Sequence, residues 1–270
     1  MFHLYGFLIA IGVLSGLFIA KYQARRFRIP SDVLDDAFVW IVIAALIGAR
    51  IYHLVTDWDL YATTSILELF SLWNGGLGLF GALIGGVVGI LLFVHREKNS
   101  KKYISKQQHQ NILMRSSNTM IFFTLLDLFS FGAPLAQAVG RLGNFFNQEL
   151  YGLETTLPWA ISVGGKLYHP LFLYEAVLNM CVFLVLNFLG WKKKLVLGKG
   201  QYACVYLGLY GVIRFWLEFL RVETARFSGF FGFFSVAQWV SIAFMLMALF
   251  LFWLRRHADR GVEWELRKFL

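Results

Sequence analysis

Tyr210, Arg214 and Glu218 recur every four residues, and Arg221 follows three later, within an otherwise apolar stretch. On a helix all four side chains project from one face. An ionisable side chain at mid-bilayer costs about 2.5–3.5 kcal/mol on insertion scales, so such a set calls for a reason. Arg214 and Glu218 can simply neutralise each other as an i, i+4 pair. The alternative is a functional charge cluster, the default reading of ionisable groups inside a membrane.

A second concentration is GRLGNFFNQELYG at residues 140–152. Two glycines flank Arg141 and let the backbone approach a ligand closely. Arg141 offers a planar fork suited to phosphate, and Asn144 and Asn147 add neutral donors. A glycine-rich helix end with a snorkelling arginine would give the same letters. Arg141 taken with Arg214 and Arg221 favours a phosphate site, because outward-facing arginines in an apolar bundle ask for an anionic lipid headgroup. Other polar residues in apolar surroundings are Arg50, followed by Tyr52 and His53, and Asp127. The stretch WNGGLGLFGALIGG at 73–86 is explained by close helix packing of small residues, although a helix start there could also help to hold an anion. In HPLFLYE at 169–175, Pro170 suits a first helical turn, and either His169 or Glu175 reads as a simple capping group.

These residues need elements that cross a membrane. The chain of 270 residues is 58% hydrophobic and 15% charged, with mean hydropathy +0.62, against roughly 45–50% and about 25% in soluble domains. Seven apolar stretches stand out, at 2–20, 37–55, 75–94, 119–139, 170–190, 201–220 and 232–254. Each approaches the roughly 20 residues that cross a hydrocarbon core as a helix, the conformation that pairs every backbone polar group in lipid. The expected fold is an all-α integral membrane protein, a seven-transmembrane-helix bundle forming a single membrane domain over 1–270. Nothing resembling a cleavage site follows the first span, which is therefore expected to be retained.

Nineteen of the 25 Lys and Arg residues fall in segments 21–36, 95–118, 191–200 and the tail from Arg255. The positive-inside rule makes these cytoplasmic, placing the N-terminus outside and the C-terminus in the cytoplasm. Segment 140–169, rich in Gly, Asn and Glu, is then a small extracytoplasmic head. The net charge of +9 is a topology signal spread over short segments, and no nucleic acid is expected as a partner. Cys181 and Cys204 lie in apolar spans as buried structural thiols, with no disulfide framework. Neither metal nor cofactor is expected.

At these motifs the chain resembles the phosphatidylglycerol–prolipoprotein diacylglyceryl transferase family. The resemblance runs from Tyr5-Gly6 through Gly48-Ala49-Arg50, the 73–86 stretch, Asp127, residues 140–152, HPLFLYE and YGVIRFWLEFLR to SVAQW at 235–239. It implies a bacterial cytoplasmic (inner) membrane enzyme that moves the sn-1,2-diacylglyceryl group of phosphatidylglycerol onto the lipobox cysteine thiol of a prolipoprotein signal peptide. Glycerol phosphate leaves. Arg141, Asn144, Gly152, Tyr5 and Arg221 match substrate-binding positions, and Arg214, Glu218, Tyr210 and Glu149 match catalytic ones, with Arg214 stabilising the departing phosphate.

The chain departs from the family at Phe80, where many members carry a histidine regarded as a general base. Phenylalanine accepts no proton, which leaves Glu218, Glu149 or His53 as the base, or thiolate formation driven by the electropositive site. Two other readings are a divergent lipid-binding relative without transferase activity and a small transporter. The transporter would call for inverted repeats and broken helices at the midplane, and neither is visible.

Overall fold

A computed structural model describes residues 4–56, 79–99, 117–147, 149–222 and 232–257. Seven α-helices occur among them: α1 Leu4–Arg26, α2 Asp32–Thr56, α3 Leu79–Asn99, α4 Asn118–Phe146, α5 Leu171–Trp191, α6 Gln201–Leu217 and α7 Val236–His257. Between α4 and α5 lies an antiparallel hairpin of β1 Ile161–Val163 and β2 Lys166–Tyr168, turned by Gly164 and Gly165 at positive φ. Six helical stretches are long and apolar enough to cross a membrane: Leu4–Arg26, Asp32–Val55, Asn118–Phe146, Leu171–Trp191, Gln201–Leu220 and Val236–Arg256. The third expected span coincides with α3, whose apolar part, Gly81–Arg96, is shorter. This is an all-α, multi-pass membrane protein.

The helices are inside out relative to a soluble bundle. Phe18, Leu184, Leu249 and Phe250 are exposed, as lipid-facing side chains are. On α5, Glu175 and Asn179 are buried while Leu173, Val177, Leu184 and Phe188 point outward. Cys204 is buried, but Cys181 is exposed on α5, so the expectation of two buried thiols fails for Cys181. It shares the outward side of an amphipathic helix whose interior face is the polar one.

The chain divides into two compact units, residues 28–125 and residues 1–27 with 126–270. In the first, α2 packs on α3 through small residues. A side chain at Gly48 or Gly81 would strike the other helix's backbone, one at Gly85 would strike Ala44, and one at Gly89 would lie 2.7 Å from the Trp40 carbonyl. Glycines four residues apart therefore let the helices touch backbone to backbone, the packing role expected of this stretch. In the second unit Gly12 and Gly16 meet Ala136 and Gly132 in the same way, joining α1 to α4.

Asp127 anchors one end of this second unit. Its Oδ2 accepts hydrogen bonds from the backbone N–H groups of Gly198 (2.9 Å) and Gly200 (3.0 Å), and Oδ1 from Ala203 (3.1 Å). The carboxylate thus satisfies donors that the start of α6 would leave unpaired. Nearby, Gln23 donates to Asn187 at 2.8 Å, and Phe27, Phe131 and Tyr202 pack as an aromatic group. The cost of an intramembrane carboxylate is offset here by a structural role.

Candidate active site

The opposite end of the same unit gathers the C-terminal ends of α4 and α6 and the N-terminal ends of α1, α5 and α7. α6 closes with a 3-10 turn, Glu218–Leu220, after which Arg221 is extended. The head segment is fastened to that turn by backbone pairing. Gly152 bridges Arg221, Leu153 N–H donates to the Leu220 carbonyl at 2.8 Å, and Gly152 N–H donates to that of His169 at 2.8 Å. A Cβ at Gly152 would lie 2.6 Å from the Leu220 carbonyl and 3.0 Å from the His169 side chain, so this crossing needs glycine.

Within this frame the charged side chains alternate in sign. Arg141 Nη2 lies 2.8 Å from Glu175 Oε1, and Arg214 Nη1 lies 3.8 Å from Glu175 Oε2. Arg214 Nη2 donates to Glu218 Oε2 at 3.0 Å, and Arg221 Nη1 lies 3.7 Å from the same oxygen. The other Glu218 oxygen accepts the Ser235 hydroxyl at 3.1 Å. Both carboxylates are almost fully buried, whereas the Arg141, Arg214 and Arg221 side chains keep 24%, 17% and 38% exposure. Among the described residues, three partly open guanidiniums stand against these two buried carboxylates, with the exposed Glu149 carboxylate beyond Asn144.

Smaller groups fix the arginines. Asn144 Oδ1 accepts from Arg141 Nη1 at 3.5 Å, while its Nδ2 donates to Glu149 Oε2 at 3.4 Å. Asn147 donates to the other Glu149 oxygen at 3.3 Å. Glu149 is exposed and held by two neutral amides. Tyr5 and Tyr210 both interact with the Arg141 guanidinium, and the Tyr5 ring lies against Gly143, where a Cβ would come within 2.7 Å of it. Gln238 helps to set the turn, accepting from the Ser235 backbone N–H at 2.9 Å.

The residues singled out in the sequence thus fall together in this unit: Tyr5, Arg141, Asn144, Glu149, Tyr210, Arg214, Glu218 and Arg221 around the cluster, and Gly152 through its backbone. Asp127 belongs to the other end. Arg50 and His53 are in the 28–125 unit; the side chain of Phe80 and residues 73–78 lie outside the described residues.

Glu175 is not a helix cap, one of the two options that HPLFLYE offered. Pro170 occupies the N-cap without a side-chain cap bond, while Glu175 sits four residues inside α5 and joins two helices' arginines. An acid that far into an apolar span was the available signal. His169 is also no cap, since its Nδ1 lies 3.1 Å from the Tyr174 hydroxyl, which also accepts from Trp159 at 2.7 Å.

Membrane-spanning helices with a partly open arginine cluster at one end of a unit define a multi-pass membrane protein with a candidate site among its helix ends. The sequence profile of the prolipoprotein diacylglyceryl transferase family matches residues 1–107 and 108–254, and the chain belongs to that family. Three similar proteins bear the name phosphatidylglycerol–prolipoprotein diacylglyceryl transferase. The one from Synechocystis sp. is 34% identical over 278 residues, covering 98% of this chain and 89% of its own. That from Gloeobacter violaceus is 33% identical (95% and 90% covered), and that from Finegoldia magna 34% identical (92% and 88%). The family resemblance read from residues 140–152 and their companions is borne out.

Proposed function

We propose that this chain transfers the diacylglyceryl group of phosphatidylglycerol to the lipobox cysteine of a prolipoprotein, the first step of lipoprotein maturation. The observation that carries this reading is the convergence of Arg141 and Arg214, from different helices, on one buried carboxylate with their open sides partly exposed. A phosphodiester brings one negative charge, which the Arg141 and Arg214 guanidiniums can meet from their partly exposed sides. Arg141, steadied by Asn144, Tyr5 and Tyr210, holds the phosphate; Arg214 and Arg221 face it from α6 and the turn beyond.

In the reaction the cysteine sulfur attacks the glycerol carbon that bears the phosphate. The C–S bond forms, the C–O bond breaks, and its electron pair stays on the oxygen, so the glycerol phosphate gains a second negative charge. Arg214 stabilises that charge as it develops. Glu149 takes the thiol proton, because its carboxylate is exposed and, among the described residues, is engaged by neutral amides. Glu218 is engaged by two arginines and Ser235, and it serves to orient Arg214 and Arg221.

The same reading sets the protein in the bacterial inner membrane as one domain over 1–270, with seven spans. The N-terminus and head segment 140–169 face outward and the C-terminus faces the cytoplasm. Support comes from the segregation of basic residues and from α3 lying where the third span is expected. Cysteines placed singly in segments 192–194 and 153–160 should be labelled from opposite sides of sealed vesicles.

The test of function is purified protein with phosphatidylglycerol and a lipobox peptide, following release of glycerol phosphate. Arg141→Ala is expected to abolish turnover; wild-type rates in that variant would remove the phosphate-site assignment.

A further inference from the structure

Beneath the charge cluster the bundle carries a second polar layer. Arg141, Glu175 and Tyr210 stand on three helices, and one turn along each, away from the cluster end, stand Gln137, Asn179 and Tyr206. Residues four apart share a helix face, so the second layer lies directly below the first. The Gln137 side chain faces the Tyr206 hydroxyl, and the Tyr206 ring stacks toward that of Tyr210 at 6.1 Å. Asn179 is completely buried.

This layer carries no formal charge and is underused. Among the described residues, neither amide atom of Asn179 has a hydrogen-bond partner, nor do Gln137 Oε1 and Arg141 Nε. Buried polar groups are nearly always paired, so a cluster of orphans next to a binding site needs an explanation. Packing gives none, because a leucine at position 179 would fill similar space without the penalty.

The chemistry of a glycerophospholipid supplies one. With its phosphorus at Arg141 and Arg214, the acyl ester carbonyls lie a few bonds further toward the chains, and one helical turn advances about 5.4 Å in that direction. Carbonyl oxygens are neutral acceptors, suited to the unpartnered Asn179 Nδ2–H donor and to the Tyr206 hydroxyl; they meet the donors of this layer, not the acceptors Asn179 Oδ1 and Gln137 Oε1. The geometry points to the Gln137–Asn179–Tyr206 layer as a subsite for the ester carbonyls of the donor lipid, one that distinguishes ester-linked from ether-linked chains. This inference rests on the phosphate-site reading and deepens it.

The experiment compares diester phosphatidylglycerol with its dialkyl ether analogue of equal chain length, in mixed micelles with lipobox peptide. The bond that breaks joins glycerol carbon to phosphate oxygen, so the ether lipid is chemically competent and differs by the absent carbonyls. The wild type is expected to favour the diester by about tenfold in kcat/KM, the scale of one or two hydrogen bonds. Asn179→Leu and Tyr206→Phe should both bring that ratio toward one. Tyr206→Phe removes just the hydroxyl and stays informative should Asn179→Leu not assemble. Equal use of both lipids by the wild type, or an unchanged ratio in Tyr206→Phe, overturns the subsite. Wild-type protein that turns over neither lipid defeats the transferase reading instead. The subsite is then judged by the same ratio in displacement of a fluorescent phosphatidylglycerol, where a ratio of one overturns it.

Discussion

Arg141 and Arg214 hold opposite oxygens of Glu175, and they hold them unequally. The Arg141 contact is 2.8 Å, whereas Arg214 stands 3.8 Å from Glu175 and 3.0 Å from Glu218. Arg214 therefore divides its charge between two acids, while Glu175 is the acid in contact with Arg141 among the described residues. Under the proposed function, a phosphodiester at this site would compete with Glu175 for both guanidiniums, and the carboxylate would stand in for the lipid's charge when the site is empty.

Glu175→Gln should lower stability in detergent by about 3 kcal/mol, since two partly buried guanidiniums lose their shared counter-charge. Adding phosphatidylglycerol should recover part of the loss, and a zwitterionic lipid should recover less. Thermal unfolding with each lipid checks this; an unchanged midpoint without lipid would show that Glu175 is not the counter-charge.

Arg214→Lys keeps the charge and loses the fork that spans Glu175 and Glu218. If Arg214 acts on the leaving phosphate, kcat should fall about 100-fold or more with a smaller change in KM. Initial rates of glycerol phosphate release over a range of lipid concentrations separate the two. A pure KM effect would move Arg214 from stabilising the transition state to holding the substrate.

Asp127→Asn should affect folding and spare chemistry. It keeps the shape but weakens three backbone hydrogen bonds, with an expected loss of about 2 kcal/mol. The KM of the folded fraction should match wild type, and a large KM change would contradict placing Asp127 at the far end from the site.

Gly132→Ala drives a Cβ into the backbone of Gly16, and overpacking of this kind costs about 1–3 kcal/mol. Gly140→Ala has nothing within 4 Å to strike, and unfolding should show it neutral or slightly stabilised.

The hairpin supplies a pH control. Glu154, hydrogen-bonded to Lys166 and placed beside it, raises the lysine's pKa above its ordinary value. The folded pKa being the higher, the pair's contribution is complete below the unfolded lysine value and is lost only as pH rises through the folded one. Lys166 is exposed to solvent, where such pairs contribute little. Lys166→Met should leave unfolding between pH 6 and 8 unchanged, and any neutral-pH dependence must come from elsewhere.

Much of this was legible before any coordinates. Apolar runs of membrane-spanning length and clustered Lys and Arg residues are one-dimensional signals, because a bilayer imposes length and charge rules locally along a chain. The four-residue spacing of Tyr210, Arg214 and Glu218 already placed them on one face, and residues 140–152 carried the family resemblance.

Partnership between distant segments was not legible. Asp127 and Glu175 are both acids inside apolar spans, identical in kind to a sequence reader. One ties down the start of α6, 71–76 residues away, and the other joins Arg141 to Arg214. The choice depends on which helix ends meet, which no local spacing encodes. The same holds for Asn179: its place in α5 follows from the sequence, but its buried amide beneath the arginines, unpartnered among the described residues, exists only once three helices have packed.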